Sequence, residues 1–199
     1  MTVTVSIMSY KYGHLVAHAI ESVLNQTLKA DEILVVDDAG FDFYNIVSRY
    51  PEVKVIQRAK NMGIVGNFND ILNNHVKTDR VLYLGADNWL HPKTLESLNC
   101  KGGDIVTYDA YMVGGWDMTD MAQYEQDGYR VWQTNGTPHG SSLYNVDFAR
   151  SVNGYESSSN EHSEEDSMLF NKMIGAGAKV SYVEQPFLYY RYHKWNYNK

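Results

Sequence analysis

The run Val5–Tyr10, Val-Ser-Ile-Met-Ser-Tyr, is an apolar strand pattern that ends in a hydroxyl and an aromatic ring. Two later runs also end in polar residues: Ile33–Asp38, Ile-Leu-Val-Val-Asp-Asp, and Val81–Asn88, Val-Leu-Tyr-Leu-Gly-Ala-Asp-Asn. Helical patterns separate these runs, and repeated strand–helix units predict a parallel sheet. In an open parallel sheet, ligands bind beyond the carboxyl ends of the strands. The three strand ends therefore predict one shared ligand site.

The remaining patterns predict an α/β fold with a Rossmann-like, mostly parallel central sheet flanked by helices and a mixed C-terminal half. Further strands are expected at 53–57, 105–113 and 141–144, and helices at 41–50, 64–76 and 92–98. The polar, unperiodic residues 118–130 predict a loop, a helix should begin at Ser163, and two strands should finish the chain at 179–183 and 187–193. No linker is visible, so we expect one domain over residues 1–199.

Composition excludes several classes of protein. The chain has 199 residues, a net charge of −7 and no run of lysine or arginine, which argues against nucleic acid as a partner. No apolar run is long enough for an integral membrane segment, and the first residues lack signal-peptide features. Cys100 is the only cysteine, which excludes an intrachain disulfide and a multi-cysteine zinc site. We therefore expect a cytoplasmic protein.

Each polar strand end has a functional interpretation and a structural alternative. Ser9 and Tyr10 could hold a nucleobase by hydrogen bonding and stacking, or form an ordinary turn. Asp38 could bind a ribose hydroxyl or a base N–H, although paired aspartates also favour turns. Asp87 could bind a divalent cation together with a diphosphate, or belong to an Asp-Asn turn. Neither a Gly-x-Gly-x-x-Gly motif nor a phosphate loop follows the first strand, so both of those nucleotide folds are excluded.

Three further positions carry similar pairs of interpretations. The Asn61–Gly63 turn could let the backbone approach a ligand or simply start a helix. Asp166 could be a general base at a helix start, or part of a helix cap with Ser163. His193 could complete a metal or diphosphate site, or lie at the surface.

Taken in order, these motifs resemble the inverting family 2 glycosyltransferases of the GT-A fold. The matching stretches are Met8–Lys11, Ala19–Thr27, Val36–Asp38, Asn61-x-Gly63 with Asn69, Gly85–Asn88, Glu165–Asp166 and Tyr190–His193. The resemblance spans most of the chain and implies a nucleotide-binding half over 1–90 and an acceptor-binding half over 91–199. Two positions depart from the family pattern. Ala86, or Gly85 if the spacing is counted differently, replaces the first acid of the metal motif, and Lys11 replaces the usual asparagine.

The resemblance implies a transferase that uses a nucleotide-diphosphate sugar, with UDP as the expected nucleotide, and a glycan or glycoconjugate acceptor. The implied nucleotide-binding residues are Ser9, Tyr10, Asp38, Asn61, Asn69 and Ala86. Asp87 would bind Mn²⁺ or Mg²⁺ with His193, Asp166 would be the base, and Glu165 and His139 would contact the acceptor. Because Ala86 weakens the metal motif, a non-catalytic module that binds nucleotide sugars or glycans is the alternative. A sugar-nucleotide pyrophosphorylase would need a glycine-rich N-terminal loop, which is absent.

Overall fold

A computed structural model describes residues 1–114, 123–156 and 164–193. Within these ranges, ten strands form one sheet. The strands are β1 (Val3–Ser9), β2 (Glu32–Asp37), β3 (Lys54–Gln57), β4 (Arg80–Gly85), β5 (Trp89–Leu90), β6 (Ile105–Val113), β7 (Gln123–Gln126), β8 (Tyr129–Trp132), β9 (Leu143–Asn145) and β10 (Val180–Arg191). The helices are α1 (Val16–Leu24), α2 (Tyr44–Val47), α3 (Gly63–Asp70), α4 (Thr94–Asn99), α5 (Val146–Ser151) and α6 (Glu165–Gly175), and a π-helical turn at Ile71–His75 extends α3.

The order of the strands confirms the expected α/β fold. Strands β3, β2, β1 and β4 are neighbours in that order and all run parallel. Strand β9 then pairs antiparallel with both β4 and β6, so it joins the parallel part of the sheet to the later strands. Strand β10 runs parallel to β6, while β5 and β8 are antiparallel to their neighbours. The first half is therefore Rossmann-like and the second half is mixed.

Helices on both faces bury the central strands. Successive side chains of a strand point to opposite faces, so Leu82 and Leu84 pack into one core cluster and Val81 and Tyr83 into another. Helices α1 and α4 contribute to the first cluster, and α5 and α6 contribute to the second. A strand buried on both faces needs apolar residues at nearly every position. This requirement explains the unbroken apolar run Ile33–Val36.

Three expectations about the elements were wrong. Residues 123–132 form the β7–β8 hairpin rather than a loop, because Asp127 and Gly128 both have positive φ, at 52° and 80°, as a tight hairpin turn requires. The last two strands are one strand, β10, whose register is irregular around Pro186, which cannot donate a backbone hydrogen bond. Helix α2 is shorter than expected, and it begins only at Tyr44 because Phe41 has a φ of 57°, outside the helical region. Ser163 lies outside the described residues.

No helix in the described part of the chain is both long enough and apolar enough to cross a membrane.

Candidate functional site

Three strand ends meet at one edge of the sheet because β1 lies between β2 and β4. In this register Ser9 is opposite Asp37, and Met8 is opposite Gly85. The polar residues that follow the three strands must therefore lie side by side. The sequence predicted this meeting of strand ends, and the structure contains it.

A cavity of about 720 Å³ opens at this edge. Its walls include Tyr10, Asp38, Asn61 and Asp87, four residues expected to bind nucleotide or metal. Pockets that bind small molecules commonly have volumes of about 300–1,000 Å³. The cavity is therefore large enough for a ligand that touches all four residues.

The paired aspartates after β2 have different environments. Asp37 is fully buried, and its carboxylate accepts hydrogen bonds from the backbone N–H of Gly40 (2.7 Å), the backbone N–H of Phe41 (2.6 Å) and Gln57 Nε2 (2.8 Å). Asp38 lines the cavity, and its Oδ1 accepts one hydrogen bond, from the Met62 N–H at 2.7 Å. Asp37 is thus the turn residue, and Asp38 faces the site.

The Asn61–Gly63 turn is attached to Asp38 and starts helix α3. Asn61 Oδ1 accepts a hydrogen bond from the Gly63 N–H at 2.9 Å, and Asn61 Nδ2 donates to the Asp38 carbonyl at 3.3 Å. Gly63 has a φ of 69°, which a residue with a side chain rarely adopts. The turn therefore brings backbone and amide groups to the cavity wall.

Ser9, Ala86 and Asn69 do not line the cavity. Ser9 Oγ is buried and has no hydrogen-bond partner within the described residues. The Ala86 methyl group belongs to the core. Asn69 donates to the Tyr155 carbonyl and accepts from the Tyr155 N–H, both at 2.8 Å. Three of the six expected nucleotide-binding residues, Tyr10, Asp38 and Asn61, therefore line the cavity together with Asp87. The roles of Ser9, Ala86 and Asn69 stay predictions.

Asp87 and His193 form the pair of side chains expected to hold a metal. His193 Nε2 lies 3.2 Å from Asp87 Oδ2, although 106 positions separate the two residues. Burial raises the pKa of the Asp87 carboxyl, and the hydrogen bond to His193 acts in the opposite direction. Arg191 Nε donates to the Asp87 carbonyl at 3.0 Å, which holds the end of β10 against the turn that follows β4.

Gly85 leaves room for the Asp87 carboxylate. A Cβ atom at position 85 would lie 2.6 Å from Asp87 Oδ1 and 3.0 Å from Asn88 Nδ2. Any larger residue would displace the carboxylate. Absence of a side chain at this position is therefore part of the site.

Asp166 occupies the first turn of α6, against the Gly140 backbone. A Cβ atom at Gly140 would lie 3.0 Å from Asp166 Oδ2. Burial, assisted by the charge of neighbouring Glu165, raises the pKa of the Asp166 carboxyl to about 6, although hydrogen bonds from the backbone N–H groups of Ser167 and Gly140 act in the opposite direction. Such a pKa suits a group that must accept a proton near neutral pH.

His139 lies just before Gly140 and is buried. Its Nδ1 accepts a hydrogen bond from the Ser141 N–H at 3.3 Å, and its Nε2 lies 3.1 Å from the Tyr108 carbonyl and donates to it. Burial lowers the pKa of His139 to about 4, so the ring is neutral at pH 7. Both ring nitrogens are engaged inside the protein, and its expected contact with an acceptor stays a prediction.

The family model described as glycosyl transferase family 2 matches residues 4–138. The chain belongs to this family. Among its relatives, EpsE of Bacillus subtilis strain 168 is 26% identical over 196 residues, which cover 90% of this chain and 69% of EpsE. The uncharacterized glycosyltransferase YwdF of the same organism is 28% identical over 117 residues, covering 57% of this chain and 43% of YwdF.

Solved structures of similar fold include S. aureus TarS 1–349 in complex with UDP-GlcNAc, with a TM-score of 0.79 and 18% identity over 99% of this chain. The mannosyltransferase PcManGT of Pyrobaculum calidifontis, in complex with GDP-Man and Mn²⁺, has a TM-score of 0.69 and 16% identity over 92% of this chain. The chain spans 60% of the TarS structure and 54% of the PcManGT structure. These similarities confirm the GT-A fold of this family 2 member.

The structure brings to this site several residues for which the sequence predicted no function. Lys11, Tyr12 and His14 line the cavity, and Lys11 Nζ lies 4.9 Å from the centre of the Tyr10 ring. Lys11 also has a φ of 62°. The sequence motif around Tyr10 indicated this region. The directions of the Lys11, Tyr12 and His14 side chains could not be predicted, because they depend on how this irregular turn folds.

The different environments of Asp37 and Asp38 predict different effects of their substitution. Asp37→Ala should lower the free energy of unfolding by about 2–3 kcal/mol, because it leaves buried N–H groups without the charged acceptor they had. Asp38→Ala loses one such contact and should destabilise the protein less, yet it should weaken UDP binding more. Urea unfolding and calorimetry with UDP measure the two quantities. Equal loss of stability in both variants, with unchanged UDP affinity for Asp38→Ala, would contradict this division.

Proposed function

We propose that this protein is an inverting glycosyltransferase that moves a sugar from a UDP-sugar to a hydroxyl group of a glycan or glycoconjugate acceptor. Family membership gives glycosyl transfer as the class of reaction. The observation that carries the proposal is the single cavity that joins Tyr10, Asp38 and Asn61 to Asp87. A nucleoside at one end and a diphosphate at the other would use all four residues. The UDP-GlcNAc complex of TarS supports UDP as the nucleotide.

The nucleoside end of the cavity combines an aromatic ring with hydrogen-bonding groups. Tyr10 is 44% exposed and offers a ring for stacking by a base. Asp38 Oδ2 has no partner among the described residues and can accept a hydrogen bond from a base N–H or a ribose hydroxyl. Asn61 completes this end of the cavity. Ser9 and Ala86 would act from behind the wall, by supporting these groups, whereas the Asn69 side chain bonds to the Tyr155 backbone.

Asp87 and His193 fit a divalent cation that is shared with the substrate. Among the described residues, no group of three or more His, Cys, Asp or Glu could hold a metal alone. Mg²⁺ sites commonly use one or two protein carboxylates together with substrate phosphates, so a carboxylate with an adjacent imidazole is a sufficient protein contribution. A bound Mn²⁺ or Mg²⁺ would act as a Lewis acid on the departing diphosphate. The Mn²⁺ in the PcManGT complex supports this cofactor.

Asp166 is the proposed general base. Inversion requires the acceptor hydroxyl to attack the anomeric carbon from the face opposite the diphosphate, and its proton must leave as the new bond forms. A partly buried carboxylate with a pKa of about 6 is ionised at pH 7 and still basic enough to take that proton. Glu165 would bind the acceptor from the same turn. His139 would hold the Gly140 turn against Asp166, and through that turn shape the acceptor side.

A non-catalytic module that binds nucleotide sugars is the second candidate, favoured by Ala86. Its methyl group lies in the core, so this chain has one acid where the metal motif has two. A screen of UDP- and GDP-sugars, with Mn²⁺ and Mg²⁺ and with glycan acceptors, separates the candidates. Release of the nucleotide by the wild-type protein supports the enzyme, whereas binding without release supports the module.

Substitution of Asp87 tests the metal assignment. Asp87→Ala should reduce the Mn²⁺-dependent kcat by about 10²-fold or more, because a Lewis acid stabilises the transition state by several kcal/mol. Gly85→Ala should raise the Mn²⁺ concentration needed for half-maximal activity, since the new methyl group displaces the carboxylate. The control is Asp147→Ala, which removes a side chain that is 93% exposed. Wild-type kcat in Asp87→Ala would refute the assignment.

The base assignment predicts the effects of Asp166→Asn on rate and on stability. Loss of a general base should lower kcat by about 10²- to 10⁴-fold, while UDP affinity stays nearly unchanged. The wild-type rate should rise with pH through about 6 and then level off, because Asp166 must be ionised, and the variant should lack this rise. Glu165→Gln is the matched comparison. If both variants keep full activity at every pH, the base lies elsewhere.

The raised pKa of the Asp166 carboxyl predicts that the free energy of unfolding changes with pH. Between its ordinary pKa of 3.8 and its folded value of about 6, the folded state holds more protons than the unfolded state, so the contribution of Asp166 to stability falls as pH rises through this window. Asp166→Asn should therefore be at least as stable as the wild-type protein at pH 7–8. Thermal unfolding at pH 4 and pH 8 measures the difference.

We expect Lys11 to bind the diphosphate, because it lines the cavity and supplies a positive charge in a chain whose net charge is −7. Lys11→Ala should weaken UDP binding about two- to five-fold, the range expected for one exposed ion pair, and should leave uridine binding unchanged. Calorimetry with UDP, UMP and uridine makes the comparison. Lys29→Ala is the control, because Lys29 Nζ donates to the Leu24 carbonyl away from this cavity. An equal loss for uridine and UDP would show that Lys11 acts on the nucleoside instead.

A further inference from the structure

Asn69 clamps the backbone of the connection Gly154–Glu156, which lies between α5 and α6. Its amide donates to the Tyr155 carbonyl and accepts from the Tyr155 N–H, so it satisfies both backbone groups of one residue at 2.8 Å each. Neighbouring Gly154 has a φ of 64°, and a Cβ atom there would lie 2.4 Å from Asn69 Oδ1. The contact is therefore close, reciprocal and specific to a side-chain amide.

The Tyr155 side chain holds the same connection from inside the core. Its hydroxyl lies 2.8 Å from the Tyr144 hydroxyl, and its ring packs edge-on against Phe68, with 5.0 Å between ring centres. Burial raises the pKa of the Tyr155 phenol, and the nearby charges of Asp166 and Glu165 contribute in the same direction. Tyr155 is thus a neutral, fixed phenol that lies within electrostatic reach of the carboxylates of α6.

Helix α6 binds the same connection from its other side, through Lys172. Lys172 Nζ donates to the Gly154 carbonyl at 2.7 Å and lies 3.2 Å from Glu156 Oε2. Asp166 lies in the first turn of the same helix. At the far end of α3, Gly63 and Ile64 line the cavity. An unbroken set of contacts therefore joins the cavity wall to the helix that bears Asp166.

We propose that Asn69 is a positioning residue that holds helix α6, and with it Asp166, in place relative to α3 by clamping the Gly154–Glu156 connection. This inference rests on the proposed function of Asp166. It differs from the role that the family resemblance gives to Asn69, which is nucleotide binding. The two roles predict opposite effects on UDP affinity and on turnover.

The test compares Asn69→Ala with Asn67→Ala. Asn67 is also buried in α3, and its Oδ1 accepts a hydrogen bond from Arg58 Nε, so its loss perturbs the same helix without touching the connection. Asn69→Ala should lower turnover of the best UDP-sugar from the screen about 10- to 100-fold, since small misplacements of a reacting group cost up to about 10²-fold. UDP affinity should not change. Hydrogen–deuterium exchange should increase at residues 153–156 and 165–170 and stay constant at 63–66.

Lys172→Met breaks the same connection from the α6 side and keeps the apolar stem of the side chain. It should reproduce the Asn69→Ala profile, and the double variant should lose less than the product of the two single effects, because both act on one unit. If Asn69→Ala does not fold, Lys172→Met tests the proposed positioning of α6 by itself.

Three results would overturn the inference: weaker UDP binding by Asn69→Ala with unchanged turnover, unchanged exchange at 165–170, or the same losses in Asn67→Ala. If the wild-type protein turns over no UDP-sugar, the proposed function fails, while the exchange data still support or overturn the clamp.

Discussion

The parallel pairing of β1 with β2 and β4 is the constraint on which the site depends. The hydrogen-bond ladder continues past the strands, because the Asp38 N–H donates to the Ser9 carbonyl and the Ala86 N–H to the Met8 carbonyl, both at 2.9 Å. These bonds fix where Asp38 and Asp87 emerge from the sheet. A slip of one residue would turn every side chain of the strand to the opposite face. The two buried core clusters prevent such a slip, so packing in the core sets the geometry at the edge.

At the edge itself, the chain separates groups that stabilise the turns from groups that face the cavity. Asp37 satisfies the N–H groups of the following loop, which leaves Asp38 on the cavity wall. Gly85 gives Asp87 room to fold back toward His193. Burial raises the pKa of both Asp87 and Asp166, so their ionised forms are held in an environment that favours them less than water does. Carboxyl pKa values that burial has raised are typical of functional sites.

In the second half of the sheet, a row of stacked aromatic rings connects the outer strands to the site. Tyr111, Tyr189 and Trp89 lie in register on three neighbouring strands, and their rings stack with 4.6 Å and 5.1 Å between centres. The Arg191 guanidinium lies 4.8 Å from the centre of the Trp89 ring and donates to the Asp87 carbonyl. The faces of the stacked rings cover one another, so the row adds side-chain contacts across three neighbouring strands. It fixes the end of β10, where His193 meets Asp87.

The sequence by itself determined the parallel half of the fold and the three strand ends that bring Tyr10, Asp38 and Asp87 to the cavity, because the apolar periodicity of each strand is a local consequence of its burial. It also contained an unused signal, the Asp127-Gly128 turn of the β7–β8 hairpin. The family resemblance paired Asp87 with His193, but the chain pattern alone could not, since 106 positions separate them. Tertiary structure decided which of the paired aspartates faces the site, that both nitrogens of His139 are engaged inside the protein, and that Asn69 holds Tyr155. Each of these outcomes depends on hydrogen-bond partners that are distant in the chain, and only the packed fold brings those partners together.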